Sequence, residues 1–307
     1  MSLNSVNTNI SAQVALQSLN TTNSQLQSTQ KRISTGLRVA DATDDGAAFA
    51  VAQKVRADTG ALTTVNQQLG NAKGLVGTTI AGLTSISNSL TNGSSLLVKL
   101  SDSGISSDQR TQYLTQFKAL VTQVASTVDG TTYNGKSLLG KTGDTTPPGA
   151  VSVVSTEAGG QTQISSEDNT QLAANLAKLV GLTYTAASGT TPASFSADPA
   201  DSAVQAAAVK ALQPPPGGAD TTTIKGLQTT VAGQLNQASS DSNTLDATIT
   251  FNSSKIDSLN AGLGALIDAD LSKESANLQA LQIRQQLGTQ ALSLANQSPQ
   301  SLLSLFK

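Results

Sequence analysis

The sequence predicts a mainly α-helical protein, in which segments from the N- and C-terminal ends pair as an elongated antiparallel coiled coil or helical bundle. Apolar residues recur at alternating spacings of three and four over long stretches near both ends, which places them along one face of a helix. Only 3% of the 307 residues are aromatic and 12% are charged. A single large core is therefore not expected, and such helices gain stability by packing side by side.

Composition argues against several classes of function. The chain has neither Cys nor His, so it lacks thiol chemistry, the commonest general base and the commonest metal ligand. We therefore predict that it is not an enzyme and binds no metal or cofactor. A net charge of -2 gives no electrostatic reason to expect nucleic acid or an anionic membrane as a partner. No stretch reaches the roughly 20 apolar residues that a membrane span needs.

The first predicted helix carries a seam of apolar and amide side chains that a partner helix must cover. The seam residues are Leu16, Leu19, Asn23, Leu26, Gln30 and Ile33. On periodicity alone, an ordinary amphipathic surface helix remains the alternative.

A second helix is predicted from residue 44 to about residue 98. Asp44 and Asp45 stand where acids meet the free amides of a helix start. Four glycines within this helix, at positions 70, 74, 77 and 82, each cost about 1 kcal/mol relative to Ala, so we expect them to mark close backbone contacts. Breaks are predicted at 92–93 and at 102–104.

The middle of the chain is predicted to be more varied. A helix over 107–128, capped by Ser106 or Ser107, precedes a turn over 130–139. A β-hairpin is expected near 151–165, with Gly159 and Gly160 at its turn. Pro-rich residues 183–223 read as a variable, surface-exposed insertion around a short Ala-rich helix that starts at Asp198 or Asp201 and ends at Leu212.

A last long helix is predicted over 224–270, with the helix of residues 44–98 as its partner. Its seam keeps the three-four alternation without a miss. The seam residues are Leu245, Ile249, Asn252, Ile256, Leu259, Leu263 and Leu266.

The sequence contains three motifs, within residues 33–52, 266–270 and 296–300, that resemble segments of bacterial flagellins. Residues 33–39 followed by 44–52 are similar to the family's N-terminal signature, although the small residues at Gly46 and Ala48 are exchanged. Residues 266–270 are similar to the segment before the C-terminal helix, although Ala265 replaces an arginine. The Asn-Gln-x-Pro-Gln motif at 296–300 is similar to the family's C-terminus. The resemblance covers about 1–140 and 225–307.

The resemblance implies three regions: terminal inner-tube helices (1–43 and 268–307), a helical core domain (44–182 and 224–267) and the outer insertion. It implies a structural subunit that self-assembles into the flagellar filament for swimming motility. Its partners would be other subunits, hook-associated and filament cap proteins, and the flagellar export apparatus with its chaperone. With no basic or apolar leader at the N-terminus, secretion to the extracellular filament without a cleavable signal peptide is expected.

Two alternatives remain open: a hook-filament junction protein, and a secreted adhesin or immune-receptor ligand. In receptor-activating flagellins one core helix carries two arginines and an acid in a short stretch. The counterpart here is Leu96, Leu97, Val98, Lys99 and Leu100, which lacks all three charged residues.

The seams and the family motifs together nominate residues for subunit contacts and assembly. They are Leu16, Leu19, Asn23, Leu26, Ile33, Arg38, Asp44, Asp45, Phe49, Asp268, Asp270, Leu278, Leu281, Leu292, Asn296, Gln297, Leu302 and Leu305.

Overall fold

The computed structural model describes residues 9–188, 191–214 and 221–304, with side chains described as far as residue 297. Over these ranges the helices are α1 (Ile10–Thr35), α2 (Gly46–Ser101), α3 (Ser107–Gly130), α4 (Leu172–Lys178), α5 (Asp201–Leu212), α6 (Ile224–Ile267) and α7 (Leu271–Ser304). The strands are β1 (Val151–Val154), β2 (Gln161–Ile164), β3 (Tyr184–Thr185) and β4 (Ser194–Phe195). The predicted mainly α-helical class is confirmed. None of the described helices is both long and apolar enough to cross a membrane.

The chain folds into two compact units, each described separately below. Among the described residues, the terminal unit contains those up to Gly60 and from Ile256 onwards, and the central unit contains those from Ala61 to Lys255. These limits lie further inside α2 and α6 than the expected boundaries at 43 and 268. The reason is a small apolar cluster of Val39, Ala48, Ala52 and Ile267, which ties the start of α2 and the end of α6 into the terminal unit.

The core of the central unit lies where α2, α3, α4 and α6 meet. Leu83 and Leu97 from α2, Phe117 from α3 and Leu176 from α4 are fully buried in one cluster, which Leu245 from α6 joins. These side chains recur on one face of each helix, as the heptad-like spacing predicts.

Within the central unit α2 and α6 run antiparallel, which confirms their predicted pairing there. Asn66 Nδ2 donates to Ser253 Oγ at 3.3 Å, and Lys73 Nζ lies 2.6 Å from Asp246 Oδ1. Lys73 lies seven residues after Asn66 in α2, whereas its partner Asp246 lies seven residues before Ser253 in α6, so the two helices run in opposite directions. Asn252, on the predicted seam, is buried and donates to the Ser155 carbonyl at 3.1 Å.

The predicted helix break at Asn92–Gly93 is wrong, because α2 continues to Ser101. A Cβ at Gly93 would meet Leu120, Phe117 and Ile224 side chains at 3.6–3.9 Å, so this glycine packs against the core rather than ending the helix. The second predicted break, at 102–104, is confirmed.

The predicted close contacts at the glycines of α2 occur at two of the four positions. A Cβ at Gly74 would lie 2.8 Å from the Tyr133 ring, and one at Gly82 would overlap Thr131. Gly70 and Gly77 have nothing within 4 Å of that position.

The predicted turn and hairpin are confirmed. In the turn, Asn134 and Gly135 adopt φ of 49° and 74°, and Tyr133 and Lys136 exchange backbone hydrogen bonds. In the hairpin, Val151 pairs with Ile164 and Val154 with Gln161. Ser106 caps α3 through a capping box with Gln109.

The 183–223 segment is not only surface. Val204, Ala208 and Ala211 on one face of α5 are buried in the core of the central unit, as is Tyr184 of β3. The Ala side chains are small enough for α5 to approach the core closely, although the surrounding Pro-rich composition suggested a loop. Residues 189–190 and 215–220 of this segment lie outside the described ranges.

Candidate assembly surface of the terminal helices

Helices α1 and α7 form an antiparallel pair, termed here the terminal pair. Its polar contacts are spread along both helices. Arg32 Nη1 lies 3.3 Å from Glu274 Oε1, and Gln285 Nε2 donates to Asn23 Oδ1 at 2.8 Å. Near the other end, Asn9 Nδ2 donates to the Ala295 carbonyl at 2.7 Å. These contacts fix the register of the pair, and they join the N- and C-terminal segments as the sequence predicts.

The face that α7 turns toward α1 follows an unbroken alternation of four and three. Each of its members is buried or half-buried: Glu274, Leu278, Leu281, Gln285, Gly288, Leu292 and Ala295. Gly288 allows close approach, since a Cβ there would lie 3.2 Å from Leu19 Cδ1. Three of the nominated residues, Leu278, Leu281 and Leu292, therefore lie within the pair.

The face of α1 that packs against α7 agrees with the predicted seam at every second position and is shifted by one residue at the others. Its buried or half-buried members are Ala12, Ala15, Leu19, Thr22, Leu26, Thr29 and Ile33. Leu19, Leu26 and Ile33 belong to both patterns. The predicted covering of Leu16 and Gln30 is wrong for the single chain: both are exposed, Leu16 by 47%.

Side-chain size explains why these positions of the α1 face differ from the predicted seam. Ala15, Thr22 and Thr29 are small enough to let α1 approach α7 closely, whereas the larger neighbours one residue later point to the flank. Asn23 is half-buried at that edge, where it accepts the hydrogen bond from Gln285. The prediction places Leu16 on this face because Leu is more hydrophobic than Ala, whereas the structure places Ala15 there.

Helix α7 also carries apolar side chains on the face away from α1. Ile283, Leu287 and Leu294, the outer stripe, are 58%, 58% and 70% exposed. Each stands two positions after a residue of the face toward α1, which rotates it by about 200° around the helix from that residue. Arg284 is the one charged residue between Ser275 and Gln297, so the stripe carries almost no charge.

Helix α1 repeats the pattern of α7. Ile10 and Val14, two positions before and after Ala12, are 46% and 60% exposed.

The nominated Asn296 and Gln297, near the end of α7, are exposed as well. The side chain of Leu302 and all of Leu305 lie outside the described residues.

The turn after α1 joins the turn after α6 within the terminal unit. Gly36 ends α1 with φ of 72°, and its carbonyl accepts from the Ala269 N–H at 2.9 Å. The Arg38 N–H donates to the Ile267 carbonyl at 2.6 Å, while its guanidinium donates to the Leu266 carbonyl at 2.5 Å. Leu37 and Asp268 form a β-bridge. The nominated Arg38 and Asp268 thus lie at one junction.

Acidic residues cap both helices that leave this junction. Asp45 Oδ1 accepts from the Ala47 and Ala48 N–H groups at 3.1 and 3.0 Å, as the sequence predicts for a helix start. Asp270 Oδ1 accepts from the N–H groups of Ser272 and Lys273 at 3.0 and 3.1 Å. Phe49, one turn into α2, is half-buried against the small apolar cluster.

The helix-start role predicted for Asp44 is wrong. Its Oδ2 atom instead accepts from the Ala40 N–H at 3.0 Å and lies 3.1 Å from Lys31 Nζ, which also pairs with Asp41 at 2.5 Å. The hydrogen bonds from Lys31 lower the pKa of both carboxyls, and those to the two carboxylates raise the pKa of Lys31. Lys31 and Asp41 are absent from the nominated residues because they belong to neither the seam nor a family motif.

The five residues of the receptor-region counterpart are mostly covered. Leu97 and Leu100 are fully buried, Leu96 is half-buried, and Val98 and Lys99 are exposed. The Lys99 ammonium lies 5.2 Å from the centre of the Tyr113 ring. Buried Arg110 donates to the Leu100 and Asp102 carbonyls at 2.6 and 3.0 Å and so closes the end of α2.

Comparison with known proteins agrees with this architecture. The family model for the bacterial flagellin N-terminal helical region matches residues 6–144, and the model for the bacterial flagellin C-terminal helical region matches residues 222–306. Flagellin FljM of Caulobacter vibrioides is 35% identical over 307 residues, the full length of both chains. A flagellin of Brucella melitensis is 34% identical over 99% of each chain. Flagellin C of Rhizobium meliloti is 30% identical over 99% of this chain and 100% of its own. The chain belongs to the bacterial flagellin family.

Proposed function

We propose that this protein is a structural subunit that self-assembles into the bacterial flagellar filament used for swimming. One observation carries the proposal beyond family membership: α7 has an apolar seam on one face and the outer stripe on the opposite face. A helix that is apolar on both sides is normally buried on both sides. Within the chain α1 covers the seam, so the outer stripe is left for neighbouring copies.

The low charge of the terminal pair supports the same proposal. Copies can pack closely only if few charges must leave water or repel one another. Helices α1 and α7 present amides, hydroxyls and aliphatic side chains, with Arg284 as the one charge on α7 between Ser275 and Gln297. Within α1 and α7, the nominated residues with described side chains that remain exposed are Leu16, Asn296 and Gln297, and these would then contact neighbouring copies.

Contacts that join one patch to a different patch on the next copy do not close on themselves, and therefore produce a filament. The assembled polymer would lie outside the cell, after delivery by the flagellar export apparatus and its chaperone. Hook-associated and cap proteins would meet the same terminal helices at the filament ends. None of the observations favours the alternative of a junction protein, an adhesin or an immune-receptor ligand.

The test is a polymerisation assay on the full chain, seeded with sonicated filaments in a kosmotropic salt, which strengthens apolar burial. The unchanged chain should form long filaments in negative-stain micrographs. Burying a Leu or Ile side chain contributes about 1.5–3 kcal/mol. Changing both Ile283→Gln and Leu287→Gln should therefore raise the critical concentration by at least about 100-fold.

The matched control is Val209→Gln, an apolar-to-amide change at a side chain of α5 that is 45% exposed. This control should polymerise like the unchanged chain, and both variants should keep the circular dichroism of the monomer. Normal polymerisation of the Ile283 and Leu287 double variant would refute the role of the outer stripe.

A further inference from the structure

The central unit carries one exposed aromatic side chain that nothing in the fold uses. Phe251 on α6 is 65% exposed and is the one aromatic among the large exposed apolar residues of the described chain. The nearby α6 positions Ala247, Thr248 and Ser254 are uncharged. Lys255, one turn on, is paired with Glu157. Covering the Phe251 ring would therefore remove no unpaired charge of these α6 positions from water.

The same unit contains an apolar pocket that no α6 residue lines. It has a volume of about 310 Å³ and lies between α2, the 133–136 turn and strand β1. Ala72, Leu75, Tyr133, Val151 and Val153 form its walls. The Tyr133 wall depends on Gly74, because a Cβ there would lie 2.8 Å from the ring. Gly74 therefore makes room for the Tyr133 ring that forms one wall of this pocket.

We propose that Phe251 of one copy inserts into this pocket of a neighbouring copy in the filament. This contact rests on the proposed function and would be one of the contacts between neighbouring subunits. The ring is flat and apolar, and the pocket walls are aliphatic and aromatic. Lys136 and the amides of Gln68 and Asn71 stand at the lining, and an ammonium within about 6 Å of an entering ring would attract its π-face.

The size of the contact indicates where it forms. A Phe side chain buries about 150–250 Å², whereas a stable interface buries about 1,200–2,000 Å² in total. Phe251 alone cannot hold two free chains together, so the contact forms only between copies that the terminal helices already align. Because the ring and the pocket are different patches, the contact joins each copy to the next without closing.

The first test compares critical concentrations of polymerisation. Phe251→Ala should raise the critical concentration about tenfold, since it removes one buried aromatic contact per subunit. Val209→Ala, which shortens another exposed apolar side chain, should leave it unchanged. Phe251 is exposed, so the monomer should keep its circular dichroism and its unfolding midpoint.

The second test uses the absence of native cysteine. Chains carrying Phe251→Cys and chains carrying Ser152→Cys, an exposed residue of the pocket lining, are copolymerised on seeds of the unchanged protein. A short bis-maleimide should then give covalent dimers in the mixed filaments, but not in filaments of either variant alone or in the unpolymerised mixture. Replacing Ser152→Cys by Ser202→Cys, at an exposed position of α5, should abolish the dimers.

Three outcomes would overturn the pocket contact while leaving the proposed function intact, provided that the unchanged chain forms filaments. These are an unchanged critical concentration for Phe251→Ala, no dimers in the mixed filaments, or equal dimers from Phe251→Cys alone. If the unchanged chain forms no filaments, the proposed function fails and the pocket contact fails with it.

Discussion

The core of the central unit and the terminal pair are built from similar helices but differ greatly in burial. In the central unit Leu69, Leu83, Leu97 and Phe117 are fully buried. In the terminal pair, among side chains described to residue 297, only Thr29, Glu274 and Leu281 fall in the buried class. The other seam residues of the pair are half-buried.

The difference shows that alternating apolar spacing does not by itself produce a core. Each helix of the central core meets several others, so its apolar face is covered from several directions. A pair of helices can cover only one side of each member, and the area gained barely offsets the entropy of ordering the backbone. We therefore infer that neighbouring copies complete the terminal pair.

The largest difference between the two regions is expected when one side chain in each is shortened to Ala. Phe117→Ala should lower the free energy of unfolding of the central unit by about 3–5 kcal/mol, because it leaves a cavity in a closed core. Leu281→Ala should change the free energy of unfolding of the central unit by less than about 0.5 kcal/mol, because Leu281 lies outside that unit. Urea unfolding followed by circular dichroism measures both.

The Leu281→Ala chain should nevertheless polymerise more weakly, since its seam helps to align the outer stripe. Equal losses of monomer stability in the two variants would show that the terminal pair is as complete as the central core.

A second comparison contrasts two alanines of α5, a helix that the composition of its surroundings places on the surface. Ala208 is fully buried and Ala206 is exposed. Ala208→Asp would bury an unpaired carboxylate and should cost more than about 3 kcal/mol in thermal or urea unfolding. Ala206→Asp should cost less than about 0.5 kcal/mol. Similar stabilities for both variants would mean that α5 does not belong to the core.

A smaller effect is expected at the glycines of α2. Gly82→Ala should destabilise the central unit by about 1–3 kcal/mol, because the new methyl group would overlap the Thr131 side chain. Gly70→Ala, with nothing within 4 Å of the added atom, should stabilise it by up to about 1 kcal/mol. The sign of each change in unfolding midpoint separates a packing glycine from one that only weakens the helix.

Much of this fold was predictable from the sequence where local chemistry decides it. The caps at Ser106 and Asp45 and the hairpin at 151–164 follow from short-range patterns, and the pairing of α6 with α2 within the central unit follows from the long apolar seams of the two helices. The errors arise where tertiary packing decides. Gly93 is a typical turn residue by type, but Phe117 and Leu120 occupy the space beside it and the helix continues.

The candidate surface was only partly predictable for the same reason. Leu19, Leu26 and Ile33 occupy the seam in either reading, whereas the choice between Leu16 and Ala15 depends on how closely α7 approaches. The distance between α1 and α7 cannot be predicted from the residue pattern of one helix alone. The ion pairs of Lys31 with Asp41 and Asp44 likewise depend on the fold of the turn that follows α1. The two-sided character of α7 becomes visible only once its partner face is known.

Amide hydrogen exchange, measured on monomers and on filaments of the same protein, tests whether neighbouring copies complete the terminal pair. In monomers, peptides from 10–35 and 271–297 should exchange at least about 100-fold faster than peptides from the buried parts of α2 and α3, because few of their side chains are covered. In filaments the exchange of both terminal peptides should slow by at least about the same factor, while that of the central core should change little. Terminal peptides that are as protected in the monomer as the central core, or that gain no protection in the filament, would show that neighbouring copies do not complete the terminal pair.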